Sequence, residues 1–368
     1  MNINAVIIYI MLVFMVIGIL DKVIFKGKFG YGEQFERGIN IMGPLTLAIL
    51  GIMCMSPVLG KILEPVIAPI YKMVGADPAM FAGTILAIDT GGYTLAQSMT
   101  DDIRIVNLSG IYLGSMLGAT IVSSIPVPLG IIDPEDKPAF SKGILAGMIA
   151  IPFAVFASAM VDGIPVAFTL INLIPSIILA VILALGLIII PNKTLKGFDL
   201  FAKLIMLVNI IGIGAAIIEG LSGFVVIPGM DPIGTHLEVI GIIAITLAGA
   251  YPMVHFITIV FSKPMKYIGK AIGVNDITVT GIIMTLASAF PMYDLVKDMD
   301  EKGKKVASAF AICACFAIGD HLGYATAQDT STVFPMIVGK IFGGVMGVVI
   351  LLLMEKVKSP KAISSVKK

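Results

Sequence analysis

Long apolar runs, interrupted at fairly regular intervals by charge or by Pro and Gly, dominate the pattern along this chain. A helix needs about 20 apolar residues to cross a bilayer. Runs of that length near 5–25, 39–59, 79–99, 105–131, 139–160, 166–190, 198–218, 236–260, 277–296, 305–327 and 333–354 predict eleven membrane elements. Two of them break near the centre, at Asp89-Thr90-Gly91-Gly92 and at Ser288-Ala289-Phe290-Pro291. Non-helical backbone at membrane depth is tolerated only inside protein or beside a wet cavity, so both are expected to be re-entrant hairpins.

Composition sharpens this picture. Only 13% of the 368 residues are charged and mean hydropathy is +1.02, which excludes an ordinary soluble domain. A net charge of +1 leaves no basic footprint for nucleic acid. The first run lacks a basic leader and a small-residue cleavage site, so it is expected to remain as a helix. Cys54, Cys313 and Cys315 lie in apolar runs, as reduced buried thiols do.

With the N-terminus outside and both hairpins returning to their own side, 21 of the 25 Lys and Arg fall inside. Only Lys61, Lys72, Arg104 and Lys340 do not. That is the bias expected of a cytoplasmic face. The predicted class is an all-α polytopic membrane protein with about nine full transmembrane helices plus two re-entrant hairpins, the count following from the length of a span. These form two inverted five-element repeats, 1–164 and 193–355, joined by a transmembrane helix at 165–192 and followed by a basic cytoplasmic tail at 356–368. The repeat shows at an offset of 198: Gly43 with Gly241, Gly51 with Gly249, Lys72 with Lys270, Gly75 with Gly273, Gly83 with Gly281 and Lys142 with Lys340.

Candidate chemistry gathers at the breaks. An ionised Asp89 near mid-membrane is costly unless paired or solvated, and Tyr93 offers a ring face to a cation. Gly91 and Gly92 let backbone approach a small ligand. Alternatively, Thr90 and Gly91 cap a broken helix while Asp89 satisfies its N–H groups. Asp320 and His321, in Gly319-Asp320-His321-Leu322-Gly323-Tyr324 near the outer end of the tenth element, fit either a proton relay or helix-to-helix hydrogen bonding. Ser123 and Ser124 precede Pro126 and Pro128, which predict irregular backbone with free carbonyls, or packing through Ser. Ser288, Phe290, Pro291, Tyr293 and Asp294 would face the first hairpin if the repeats are inverted. His255 is expected to be a buried packing residue, and Asp21, Glu219 and His236 to be solvated at helix ends. Gly110 with Gly114 and Gly143 with Gly147 have the spacing of close helix packing. Spacing supports no metal cluster, P-loop or Ser-His-Asp set.

Several stretches resemble the ethanolamine utilisation permeases, the EutH family. They are Met80-Phe81-Ala82-Gly83-Thr84 with Asp89 and Gly91-Gly92; Ser124-Ile125-Pro126-Val127; Pro228-Gly229-Met230-Asp231-Pro232; Gly249-Ala250-Tyr251-Pro252-Met253; Gly319 to Gly323; and Phe334 to Lys340. The resemblance implies uptake of ethanolamine through the bacterial cytoplasmic membrane for its catabolism, with ethanolamine and membrane lipid as partners. No cofactor is implied; a coupling ion, H+ or Na+, and a homo-oligomer are left open. Ethanolamine is a primary amine, protonated near neutrality as lysine is. Asp89 and Tyr93 suit its ammonium; Thr90, Ser288 or backbone carbonyls suit its hydroxyl. A passive channel for small amines and an ion-coupled transporter of another small polar solute are the alternatives.

Overall fold

The computed structural model describes residues 3–357, all helix and connection, with no strand among them. Eight of the described helices are long and apolar enough to cross a membrane, and the chain is a multi-pass membrane protein. Met1, Asn2 and the tail from 358 onward, with Lys358, Lys361, Lys367 and Lys368, lie outside the described residues.

The order is α1 (Ile3–Val23), α2 (Tyr31–Asn40), α3 (Met42–Lys72), α4 (Met80–Ile85), α5 (Gly92–Met99), α6 (Ile103–Ile131), α7 (Lys137–Val161), α8 (Val166–Ile189), α9 (Pro191–Ser222), α10 (Ile233–Ile272), α11 (Asp276–Thr285), α12 (Phe290–Leu295), α13 (Glu301–Ala314), α14 (Asp320–Gln328) and α15 (Val333–Val357). Eight continuous spans replace the nine expected, because the tenth predicted element is broken. Its helix stops at Ala314 and restarts at Asp320. Between them Phe316 adopts a left-handed φ of 59°. The Phe316 and Ile318 N–H groups donate to Thr285 and Leu286 carbonyls of the second interrupted segment, both at 2.9 Å. A neighbouring turn thus takes over the hydrogen bonds that would have continued the helix. Asp320 therefore begins a new helix within the element.

Both predicted interruptions exist, and each segment returns to where it started. Around 79–99, Thr100 Oγ1 lies 3.5 Å from Asp77 Oδ2. Around 277–296, Asn275 N donates to Asp300 Oδ1 at 2.9 Å and Asn275 Nδ2 to the Asp298 carbonyl at 3.0 Å.

The most enclosed span is α6, 94% buried along its most apolar stretch against 17% for α1. Much of α6 is wound wider than an α-helix: Asn107–Gly118 and Thr120–Ser124 are π-helical, and Ile125 N bonds to Thr120 O five residues back at 3.0 Å. Such widening is uncommon and concentrates at functional sites. Pro126 occupies the first turn of the helical end 126–131, where no donor is missed. The expected irregular backbone at Ser123–Pro128 is therefore a wide helix, without an open loop of free carbonyls. Small residues bring α7, α13 and α15 together as their spacing predicts: a methyl on Gly143 would fall 2.2 Å from the Lys305 carbonyl, and one on Gly147 2.8 Å from that of Ala309.

Three polar residues differ from expectation. Asp21 is buried, with its carboxylate accepting from Phe29 N at 3.0 Å and Gly32 N at 2.9 Å, so it ties α1 to the start of α2. His236 is also buried, 3.2 Å from Asp231. His255 is only half-buried and lies edge-on to Tyr31. Backbone and carboxylate partners, not interfacial water, account for the first two.

Candidate functional site

The first fold-back is built so that one carboxylate is presented at its bend. Helix α4 ends where Leu86 turns extended, a short turn spans Ile88–Thr90, and Gly91 takes φ of 93° before α5 begins. A side chain is disfavoured at that φ. Thr90 Oγ1 accepts from Ala87 N at 2.9 Å, and Gly92 N donates to Ala87 O at 2.9 Å. A methyl on Gly92 would fall 2.8 Å from the Leu86 carbonyl. Thr90, Gly91 and Gly92 thus make the turn, as the capping alternative anticipates. Asp89 does not join them: among the described residues its carboxylate takes no hydrogen bond from another residue, and it keeps some accessible surface although its neighbours Ile88 and Gly91 are buried. An acid held this way lacks the protein partner that burial normally requires.

Other polar groups surround it. The charges of Asp320 and Lys340 both act on Asp89. Lys340, in α15, is wholly buried and donates from Nζ to the Ser115 carbonyl of the π-helical stretch at 2.6 Å. His321 is buried beside Phe316, with ring centroids 5.1 Å apart, and its Nδ1 has no partner. Asp320 points the other way, accepting from Tyr251 Oη at 2.7 Å. Successive residues of a helix diverge by about 100°, which separates the two side chains. The rings of Tyr93 and Tyr324 meet edge-to-face at 6.4 Å, both buried.

Asp89, Tyr93, Asp320, His321 and Tyr324 are thus brought together where the first bend meets the broken tenth element. Ser288 and Pro291 lie apart from Asp89, lining a cavity of ≈ 160 Å³ with Gln34, Arg37, Tyr251 and His255. The Arg37 guanidinium stacks 5.2 Å from the Tyr251 ring, so that cavity reaches Asp320 through Tyr251. Of the second fold-back's other candidates, Asp294 and Phe290 are exposed and Tyr293 packs edge-on to Phe140. They do not face the first fold-back as expected: α11 and α12 pack on α10, α13 and the 126–131 end of α6. Ser123 uses its hydroxyl on the Ala119 carbonyl of its own helix, and Ser124 lies 3.8 Å from Cys315 Sγ. The three cysteines are free and buried.

Sequence reasoning passed over Lys340, Tyr251 and Arg37 as site residues. Lys340 did carry a signal, as the sole charge inside the apolar run 333–354. Tyr251 lacked one, because a tyrosine in a spanning helix reads as packing until its hydroxyl partner is known. Among the described residues no group of three or more His, Cys, Asp and Glu side chains is placed to hold a metal ion.

Comparison with known proteins gives a consistent result. The model of the family described as "Ethanolamine utilisation protein, EutH" matches residues 3–354. The chain is 47% identical over 352 residues to the "Probable ethanolamine permease EutH" of Listeria monocytogenes, covering 95% of this chain and 94% of that protein. It is 44% identical over 385 residues to the protein of the same name from Escherichia coli, with 95% and 94% covered. It is 40% identical over 345 residues to "Uncharacterized protein YxeR" of Bacillus subtilis, with 94% and 93% covered. No solved structure matches it.

Proposed function

This chain belongs to the EutH family of ethanolamine utilisation proteins, and from that premise we propose that it carries ethanolamine, as the protonated amine, across the bacterial cytoplasmic membrane by alternating access. The relatives from Listeria monocytogenes and Escherichia coli are named probable permeases, which are transporters and not enzymes. The observation that carries the reading is Asp89, a half-buried residue held at a bend with no hydrogen bond from another residue to its carboxylate. A small ammonium ion supplies the missing partner, and the faces of Tyr93 and Tyr324 suit the same charge. The Lys340 charge acts on Asp89; the bound ammonium takes over that role.

The two fold-backs are re-entrant hairpins on this reading, since the ends of each lie side by side. The inverted repeat is supported by matched details at the 198 offset. Gly75 and Gly273 both have left-handed φ, 75° and 72°. Asp77 Oδ1 accepts from Ala79 N at 2.8 Å, as its counterpart Asn275 Oδ1 accepts from Thr278 N at 2.9 Å. The N-terminus is outside, and the face rich in Lys is cytoplasmic.

Reconstituted uptake tests the reading. Labelled ethanolamine should enter liposomes saturably, exchange against unlabelled ethanolamine, and be competed poorly by choline, serine and ammonium. Asp89→Asn at normal membrane levels should reduce uptake by about 30-fold or more, the scale of losing a buried charge partner. Normal uptake by that variant would remove Asp89 from the site.

A further inference from the structure

A second group of oxygens lies on the face that carries the ends of the first fold-back. Asn107, four residues into α6, donates from Nδ2 to Asp329 Oδ2 at 2.9 Å, leaving its Oδ1 buried without a partner. About one π-helical turn further on, Tyr112 Oη is also buried and has no partner at hydrogen-bonding geometry, although it faces Asp162 in the turn between α7 and α8. Asn107 is 5% exposed and Tyr112 0%. Buried polar atoms are rarely left unsatisfied in a native structure, and each such atom needs an explanation.

The charges here are equally unbalanced. Asp162 and Asp329 repel one another, and no Lys, Arg or His acts on either. Burial, then the Asp329 charge, raises Asp162 above the usual carboxylate range, although Tyr112 opposes them. Asp329, despite burial, is held below that range by Ser331 and Asn107. The group therefore holds an ionised carboxylate, a second acid without a counter-ion, the unpartnered Asn107 Oδ1, and a Tyr112 hydroxyl that faces Asp162 outside hydrogen-bonding geometry.

From this juxtaposition we infer that Asp162, Asp329, Asn107 Oδ1 and Tyr112 Oη form a second site for a small monovalent cation, at the outer mouth of the route to Asp89. All-oxygen ligands match a hard ion, and with Asp329 favouring its ionised form while Asp162 resists ionising, the group balances one positive charge and not the two of Ca2+ or Mg2+. The route inward is continuous in chemistry. Tyr93 feels the Asp329 charge, its ring meets that of Tyr324, and Tyr324, whose Oη also lacks a partner at hydrogen-bonding geometry, feels Asp89. The cation is either Na+, acting as coupling ion, or the substrate ammonium on its way to Asp89. The second source rests on the transport reading above.

The test uses the full chain, first in detergent and then in liposomes. Binding of 22Na+ and of labelled ethanolamine is measured on an Asp89→Asn background, which neutralises the deep site. One label should bind, with affinity reduced about tenfold by Asp162→Asn and about threefold by Tyr112→Phe, the size of one to two lost polar contacts. In liposomes external Na+ is replaced by N-methylglucamine. Uptake that depends on Na+, with half-activation shifted about tenfold upward in Asp162→Asn, identifies the coupling ion. Uptake indifferent to Na+, with KM for ethanolamine raised about tenfold and maximal rate kept, identifies a substrate station. If both variants stay within about twofold of wild type in binding and uptake, the site is refuted. Should Asp162→Asn fail to fold, Tyr112→Phe decides alone, because it keeps the ring and removes only the hydroxyl oxygen. Wild-type protein that binds 22Na+ but takes up no ethanolamine would overturn the transport reading and leave this site standing.

Discussion

The two fold-backs have similar mouths and different tips. Each begins after a left-handed glycine, Gly75 or Gly273, and in each an Asx side chain accepts a nearby backbone N–H, Asp77 from Ala79 just ahead of α4 and Asn275 from Thr278 as the cap of α11. A second acid then starts the helix that follows, at Asp102 or Asp300. At the tips the likeness ends. The first turns through Asp89-Thr90-Gly91-Gly92, spends Thr90 and two glycines on the bend, and leaves a carboxylate unpaired. The second turns through Ala287-Ser288-Ala289 without a charge, and its Thr285 and Leu286 carbonyls accept the backbone of the broken tenth element. One tip offers charge; the other holds open the helix break from which Asp320 and His321 emerge. On the proposed transport reading, the two tips divide the labour of making a site.

Glycine pairs at the 198 offset give the largest expected effect. A methyl on Gly83 would lie 1.7 Å from the Ser109 carbonyl, whereas on Gly281 it would meet the terminal methyl of Met299 at 2.6 Å and Cγ of Met292 at 3.1 Å. Backbone cannot yield, while methionine side chains can. Gly83→Ala should cost about 3 kcal/mol or more, and Gly281→Ala about 1 kcal/mol or less, read from thermal unfolding of the purified proteins. Equal losses would mean that the second fold-back is packed as rigidly as the first.

The next effect is on uptake. Against the loss expected for Asp89→Asn, Ser288→Ala should leave ethanolamine uptake within about twofold, because Ser288 lines the cavity at Arg37 and not the bend at Asp89. A large loss in Ser288→Ala would show that the second tip also binds substrate.

Tyr251→Phe should be intermediate. It removes the 2.7 Å bond to Asp320 from the scaffold helix α10, worth about 1.5 kcal/mol for a charged acceptor. That energy corresponds to an uptake change of about tenfold. An unchanged rate with unchanged KM would reduce the bond to packing.

How much of this was legible beforehand depended on the kind of signal. Apolar run length located the spans, and Gly91-Gly92 and Pro291 located the two bends, because both follow from local backbone rules. The tenth element read as one helix, since nothing local marks Cys315–Ile318 as a break; its lost hydrogen bonds go to Thr285 and Leu286, some 30 residues earlier in the chain. Asp89 was conspicuous as an acid in an apolar run. Tyr251 and Tyr112 were not, because the role of a tyrosine depends on which carboxylate the fold brings to its hydroxyl. Asp21 and His236 were misjudged for the same reason: their partners, Gly32 N and Asp231, come from the turn of the chain and not from the helix that bears them.

The smallest effect concerns the mouths, where the likeness is greatest and the comparison most easily broken. Asn275 closes the second mouth by two hydrogen bonds, its N–H to Asp300 and its Nδ2 to the Asp298 carbonyl, and caps α11 by two more, its Oδ1 accepting from Thr278 N at 2.9 Å and Thr278 Oγ1 at 2.7 Å. At the first mouth the direct link is a single long contact of 3.5 Å between Thr100 and Asp77, a distance at which a hydrogen bond contributes little. There Asp77 N is held instead by Asn172 of α8 at 2.7 Å, so closure depends on a neighbouring helix. Asn275→Ala should therefore cost about 1 kcal/mol, as loss of a helix cap does, and Thr100→Val about 0.5 kcal/mol or less. Hydrogen exchange at the amides of α4 and α11 gives a local measure for each. If Thr100→Val loosened its fold-back as much as Asn275→Ala loosens the other, the first mouth would be self-closing too, and α8 would not be needed to hold the Asp89 bend in place.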